Sequence, residues 1–243
     1  MTSTPVTSPD LDWTLPPEAL ALGHDEVHVW RASLDQAPAQ IQTFLPKLAA
    51  DEQARAARFH FERDRDHFTV ARGVLRTILG RYLNRAPESL SFCYGSHGKP
   101  DLAGATDGAA IRFNLSHSHG LALYAIARER ELGVDLERIR CDLAVLEIAE
   151  RFFSREEAAR LRAFPGESRH REFFRCWTAK EAYVKARGEG LSLPLYQRDP
   201  SEVSRWSFRE LTPARGYLAA LAAEGQGWRL SCWQWPDPRS PSA

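Results

Sequence analysis

The chain has 243 residues, 43% of them apolar and 10% aromatic, with a formal charge of zero. That length and apolar content suit one large or two small packed domains and exclude wholesale disorder. A general nucleic-acid binder would carry a basic excess, which is lacking here.

Residues 1–24 are rich in Pro, Ser and Thr and are expected to be loose. They have no basic start and no apolar run, so they do not read as a signal peptide. No stretch of the chain reaches the apolar length of a membrane span, and a cytoplasmic protein is expected. Glu26-Val27-His28-Val29-Trp30-Arg31 alternates and reads as a strand, with His28 on its solvent or cleft side in a structural role. Helical patterns follow at about 35–45, 48–59 and 63–83. In the third, Phe68, Leu75, Ile78, Leu79 and Leu83 share a face. Leu90 to Tyr94 reads as a strand, Gly95 to Pro100 as a glycine-rich turn, and Ala110 to Ser116 as a strand. Leu121 to Ala127 is a continuous apolar run, hence a buried strand. After a charged turn at 128–131 comes Gly133-Val134-Asp135-Leu136-Glu137, expected to fold back on 121–127 as a hairpin.

Residues 142–151 look helical, and Ser154 with Glu157 forms a capping box opening the next helix. Residues 167–187 lack Pro and Gly and read as one long helix ended by Gly188. Segments 205–210, 216–222 and 227–235 read as strands of one antiparallel sheet. Trp206, Trp228, Trp233 and Trp235 are expected to cluster there as core. Cys93, Cys141, Cys176 and Cys232 form no Cys-x-x-Cys pair and read as small apolar residues in a reducing compartment.

Two of these segments carry chemistry. On the strand at 133–137, Val134 and Leu136 face a core and Asp135 and Glu137 share the other face, roughly 7 Å apart along the chain. On the long helix, Trp177, Glu181 and Lys185 form an i, i+4 stripe. Alone, Glu181 and Lys185 would be an ordinary surface ion pair. Three carboxylates converging from strand and helix, however, would repel one another with nothing between them. An all-oxygen set without a His or Cys pattern suits a hard cation, Mg²⁺ first. Lys180 and Lys185 could then serve phosphate oxygens. The residues point to Mg²⁺-assisted chemistry on a phosphate or pyrophosphate.

Ser116-His117-Ser118-His119 is a second candidate for chemistry. Neighbours on an extended chain point apart, and the flanks are not the Gly-x-Ser-x-Gly elbow, so a Ser–His nucleophile is disfavoured. No third ligand accompanies the two histidines, which disfavours zinc. A phosphate-binding Ser and His pair is the better reading.

Phe113-Asn114-Leu115-Ser116-His117-Ser118, Gly133-Val134-Asp135-Leu136-Glu137 and Trp177-x-x-Lys180-Glu181-Ala182-x-x-Lys185-x-x-Gly188-x-Gly190-Leu191 occur in this order, with Gly98-Lys99-Pro100 and Phe152-Phe153-Ser154 as weaker support. In this, over roughly residues 45 to 195, the chain resembles the 4′-phosphopantetheinyl transferases of the long, monomeric Sfp-type branch. The resemblance implies an α+β fold of two similar subdomains, each an antiparallel sheet with a long packing helix, related by a pseudo-twofold axis. After the loose segment 1–24, the halves would be 25–128, on the coenzyme A side, and 129–236, with the metal and catalytic residues; 237–243 would be a tail. It implies Mg²⁺-dependent transfer of 4′-phosphopantetheine from coenzyme A to a serine of an apo acyl or peptidyl carrier protein, releasing adenosine 3′,5′-bisphosphate.

By the same resemblance Asp135, Glu137 and Glu181 would hold Mg²⁺. Ser116 and His117 would meet coenzyme A phosphates, while Gly98, Lys99 and Pro100 would border the adenine, with Lys99 near phosphate. Lys185, with Lys180 nearby, would stabilise charge on the transferred phosphoryl or leaving group. Glu181 or a water on the metal would be the base. Arg55 matches a basic position for the 3′-phosphate. Glu52 stands at the other such position as an acidic departure, leaving Arg58 or Arg72 to contribute. The carrier would dock near Phe152, Phe153 and Arg155, Arg160 and Arg162. Neither membrane nor nucleic acid is an expected partner. Two alternatives stay open: a Mg²⁺-dependent phosphohydrolase, and a non-catalytic module binding coenzyme A or a carrier.

Overall fold

The computed structural model describes residues 12–95, 98–104, 111–188 and 204–236. In chain order the elements are β1 (Glu26–Ser33), α1 (Pro38–Phe44), α2 (Ala50–Ala56), α3 (Glu62–Leu83), β2 (Phe92–Tyr94), β3 (Pro100–Leu102), β4 (Ile111–Ser118), β5 (Leu121–Arg128), β6 (Leu132–Arg138), α4 (Val145–Phe152), α5 (Arg155–Ala163), α6 (Gly166–Arg187), β7 (Trp206–Leu211), β8 (Tyr217–Glu224) and β9 (Arg229–Gln234). A four-stranded sheet has the order β4-β5-β1-β9, and a three-stranded sheet the order β6-β8-β7. β2 and β3 form a separate hairpin.

The apolar run of β5 explains the layering. Its side chains alternate between faces, and both faces are covered. Ala122, Tyr124 and Ile126 pack with Trp30 of β1 against Val70, Val74, Ile78 and Leu79 of α3. Leu123, Ala125 and Ala127 pack with Val134 and Leu136 of β6 and Leu221 of β8. The outer side of the second sheet meets α6 through Ala220, Ala222, Ala182 and Ala186. The layers are therefore α3, first sheet, second sheet, α6, with each half of the α+β fold contributing a sheet and a long helix.

α6 lies unusually low on its sheet. At Gly133 in β6, an added Cβ would stand 2.1 Å from the Ala182 carbonyl oxygen and 2.3 Å from the Ala186 nitrogen. Only glycine permits this backbone-to-backbone approach. The helix ends at Gly188, whose φ of 68° is left-handed. Ser154 and Glu157 cap α5 reciprocally, as their spacing suggests.

Several expectations are corrected. β6 does not form a hairpin with β5, because both edges of β5 are taken by β4 and β1; β6 pairs with β8 instead. β9 leaves the C-terminal strands and runs parallel to β1 in the first sheet. The four tryptophans consequently divide: Trp233 and Trp235 pack beside α3, Trp228 lies between the sheets, and Trp206 lies by α6. The described part of the N-terminal segment is tied down. Thr14 bridges to β9, with the Gln234 amide donating to its carbonyl at 2.7 Å, and Leu22 is buried. His28 is buried and sits 2.7 Å from the Tyr82 hydroxyl, facing neither solvent nor cleft. Residues 1–11, Ser96, His97, Gly190, Leu191 and the tail 237–243 lie outside the described residues. No helix among the described residues is long and apolar enough to cross a membrane.

Candidate active site

The candidate site grows from a seam between the two sheets. β4 and β6 are edge strands of different sheets, and side chains replace the ladder between them. Asn114 Oδ1 accepts the Val134 amide at 2.9 Å, Ser116 Oγ accepts the Leu136 amide at 3.2 Å, and Ser118 Oγ accepts the Arg138 amide at 3.2 Å. The two-residue period of β4 thus matches the two-residue period of outward amides on β6. Each serine then donates its hydrogen to the carboxylate one residue earlier on β6. Ser116 donates to Asp135 Oδ1 at 3.1 Å and Ser118 to Glu137 Oε2 at 2.9 Å.

α6 brings the rest. Lys185 Nζ lies 2.6 Å from Asp135 Oδ1 and 2.9 Å from Ser116 Oγ. Ser116 therefore has its one hydrogen on Asp135 and its lone pairs on Leu136 and Lys185, which departs from the expectation of a hydroxyl aimed at phosphate. Among the described residues, two buried carboxylate oxygens have no hydrogen-bond partner: Asp135 Oδ2 and Glu181 Oε1. Burial, then the charge of Asp135, pushes the Glu181 carboxyl up to about 7. The same two causes raise Glu137, against the pull of Ser118 and Lys185. Among the described residues, no three acidic, histidine or cysteine side chains already surround a common point as a ligand shell does. Yet crowded carboxylates, unpartnered oxygens and an all-oxygen donor set are the chemistry of a hard-cation site, and the residues fit one.

His117 is at the surface of the same corner. The protein packed around it, then Lys185 and His67, hold its imidazolium below the usual range. It lines a cavity of ≈ 330 Å³ with Arg63, His67, His119, Phe59 and Phe68. Phe59 also lines a larger cleft of ≈ 860 Å³ with Arg55, Arg58, Tyr94 and Gly98. Arg55 lies over the Phe68 ring, 5.3 Å from its centroid.

Other anticipated residues are drawn elsewhere. Glu52 is buried and held by both Arg72 and Arg76, the latter at 2.5 Å, so neither Glu52 nor Arg72 is available to a phosphate in this arrangement. Lys99 reaches the Ala186 carbonyl at 3.1 Å and Glu131 at 3.5 Å, tying the start of β3 to the end of α6. Burial lowers its ammonium despite the opposing pull of Glu131. Pro100 begins β3, paired with Tyr94. Lys180 pairs with Glu157 at 2.9 Å and sits over the Phe153 ring, on the α5 side. Phe153 is buried against Phe173, so it is core and not docking surface.

Comparisons with known families cover both halves of the chain. Residues 131–235 match the 4′-phosphopantetheinyl transferase superfamily, and residues 29–129 match the N-terminal region of 4′-phosphopantetheinyl transferases. The chain is 41% identical over 232 residues to 4′-phosphopantetheinyl transferase HetI of a Nostoc species, covering 92% of this chain and 98% of that protein. This chain belongs to the 4′-phosphopantetheinyl transferases. It is thus an enzyme that moves phosphopantetheine to carrier proteins. More distant phosphopantetheinyl transferases are also similar. Sfp of Bacillus subtilis is 28% identical over 154 residues, 63% of this chain and 66% of that one. AcpT of Salmonella typhimurium is 39% identical over 113 residues, 46% of this chain and 56% of that one. In this phosphopantetheinyl transferase the N-terminal match spans most of β1 through β5, and the superfamily match spans β6 through β9. The carboxylate–lysine corner lies where the two matched regions meet, along the β4–β6 seam.

The seam itself escaped the sequence reading. Its signal was present: three small polar residues, Asn114, Ser116 and Ser118, at period two on a strand whose other positions include Phe113 and Leu115. Such a polar stripe on a buried face needs partners, and the next strand's amides supply them.

Proposed function

We propose that this enzyme transfers 4′-phosphopantetheine from coenzyme A to a serine hydroxyl of an apo carrier protein, with Mg²⁺ as cofactor and adenosine 3′,5′-bisphosphate as the other product. The observation that carries the reading is the pair of buried, unpartnered oxygens, Asp135 Oδ2 and Glu181 Oε1, beside Lys185. Asp135, Glu137 and Glu181 are the ligands assigned to the cation, which when bound neutralises charge on the pyrophosphate.

The chain's own residues do the remainder. Glu181, a buried carboxylate with one oxygen unpartnered, is the residue assigned to accept the proton of the carrier serine. The serine oxygen forms a bond to the β-phosphorus, on the pantetheine side, and the bridging bond breaks. The electron pair leaves on the adenosine bisphosphate. Lys185, held by Ser116 and Asp135 at the seam, is a fixed positive charge for that leaving oxygen. His117 gains a proton more readily once an anion lies beside it, and serves a phosphate oxygen at the cavity lip. Arg55 and Arg58, in the cleft that includes Gly98 and Tyr94, serve the adenosine half with its 3′-phosphate.

Lys99 and Lys180 act indirectly in this reading. Lys99 fixes the start of β3 against the end of α6, and Lys180 fixes α5 through Glu157. A monomer in the cytoplasm is the working form proposed.

The test is intact-protein mass spectrometry of a panel of apo fatty-acid, polyketide and peptide-synthetase carriers with this enzyme, coenzyme A and Mg²⁺. Gain of one phosphopantetheine, lost with EDTA, is the expected result. Cleavage of coenzyme A at the same rate without any carrier would make the enzyme a phosphohydrolase instead. Coenzyme A binding without modification of any carrier would leave only a binding module.

A further inference from the structure

The seam repeats one motif twice. A serine of β4 accepts an amide of β6 and donates to the carboxylate just before that amide. Asn114, the first rung, makes the amide bond alone and touches no carboxylate among the bonds described. The rungs therefore separate two jobs, joining the sheets and aiming carboxylates, and only the serine rungs do both.

Ser118 is the rung whose carboxylate has no lysine on it. Asp135 is oriented by Ser116 and by Lys185 together. For Glu137 the direct partner among the described bonds is Ser118, at 2.9 Å. Ser118 is itself buried and held on two further sides. Its lone pairs accept the Arg138 amide at 3.2 Å and, in the tautomer protonated at Nδ1, His119 at 3.1 Å. Such a hydroxyl has one direction left for its hydrogen, and Glu137 lies along it. A glutamate has three rotatable side-chain bonds, so without this contact its head would sample several rotamers.

We propose that Ser118 is a positioning residue of the transferase reaction: it fixes the Glu137 carboxylate toward Asp135 and Glu181 so that a divalent cation meets a preformed set of ligands. This rests on the reading of Glu137 as a cation ligand. Outer partners of metal ligands contribute about 10–100-fold to metal affinity in proteins generally, so an effect of that size is expected.

The experiment is calorimetric titration of the full-length protein with Mn²⁺ and Mg²⁺, in the presence of coenzyme A, for four variants beside the parent. Thermal unfolding is followed in parallel. Ser118→Ala is expected to weaken cation binding by at least tenfold, and Ser118→Thr, which keeps the hydroxyl on a strand residue, to restore most of it. Asn114→Ala is expected to lower the melting temperature as much as Ser118→Ala while keeping the parent's cation affinity. Glu137→Gln is expected to weaken the cation at least as much as Ser118→Ala. Loss with Glu137→Gln but parental affinity in Ser118→Ala overturns the positioning role alone. Equal loss in Asn114→Ala and Ser118→Ala makes Ser118 a seam residue only, and also overturns it. Parental affinity in Glu137→Gln, or no cation binding by the parent, overturns both this inference and the ligand reading beneath it.

Discussion

Gly133 and Ala182 touch backbone to backbone: a Cβ built on the glycine would lie 2.1 Å from the Ala182 carbonyl oxygen. Glu181 precedes that carbonyl and Lys185 precedes Ala186, the other residue in the contact. The height of α6 above β6, set by the absence of one methyl group, therefore sets how far Glu181 and Lys185 stand from Asp135.

Gly133→Ala should consequently damage stability and site together. The clash is with backbone on both sides, so no side chain can swing away. A loss of about 3 kcal/mol is expected at the upper end of overpacking costs. For a chain of this size that is roughly 6–12 °C in melting temperature. Thermal unfolding reads it, and a melting temperature within a degree of the parent's would contradict the close approach.

Glu52→Ala should destabilise without acting through substrate. Glu52 is buried between Arg72 and Arg76, and its removal leaves two guanidinium groups in the interior without their carboxylate. Breaking a buried ion pair in this way costs about 3–5 kcal/mol. Urea unfolding in the absence of coenzyme A is the measurement. An unchanged midpoint would show that the arginines find other partners.

Arg55→Ala should leave the fold alone, since Arg55 is exposed and rests on the Phe68 ring. Its loss should weaken coenzyme A by the worth of a charge-assisted hydrogen bond, about 1.5–3 kcal/mol. Titration calorimetry with coenzyme A and with 3′-dephospho-coenzyme A separates the contacts. The variant should lose its preference for the 3′-phosphate, and an undiminished preference would move that phosphate away from the cleft.

The carboxylate corner also predicts a pH dependence for protein stripped of divalent cations. Glu181 titrates near 7 in the folded chain and near 4.5 when free of its surroundings. A raised carboxyl contributes stability fully below the lower value and loses it as pH rises through the higher one. Between pH 5 and 8 in EDTA, the parent should lose stability relative to Glu181→Gln. Asp135, Glu137 and Lys185 face the same group, so the comparison with the variant isolates its share. Parallel melting curves for the two proteins across that range would deny the raised value.

Much of this corner was legible in advance because it rests on short-range periodicity. Alternation placed Asp135 and Glu137 on one face of β6, and the i, i+4 spacing placed Glu181 and Lys185 on one stripe of α6. The capping pair Ser154 and Glu157 and the stop at Gly188 are local signals as well. What was not legible depends on partners far away in the chain. Nothing near residues 128–132 shows that both edges of β5 are occupied, so a hairpin with β6 looked natural. Likewise Glu52 reads as an acidic departure at a basic position, and its role shows only when Arg72 and Arg76 close over it from another helix. Lys180 was assigned to phosphate by its neighbours in sequence, but it stands five positions before Lys185, and on a helix that turns it toward α5.

β9 lies beside β1, joining residues about two hundred positions apart in a parallel ladder from Glu26 with Arg229 to Arg31 with Gln234. During synthesis β1 must therefore wait, one edge bare, until β9 has left the ribosome. The N-terminal region cannot finish folding as an independent unit, and a fragment ending after β5 would present an open apolar strand edge to its neighbours. The two halves are thus joined by β9: cutting the polypeptide between β5 and β6 would yield two pieces that need one another, and a split protein built there should regain structure only on mixing.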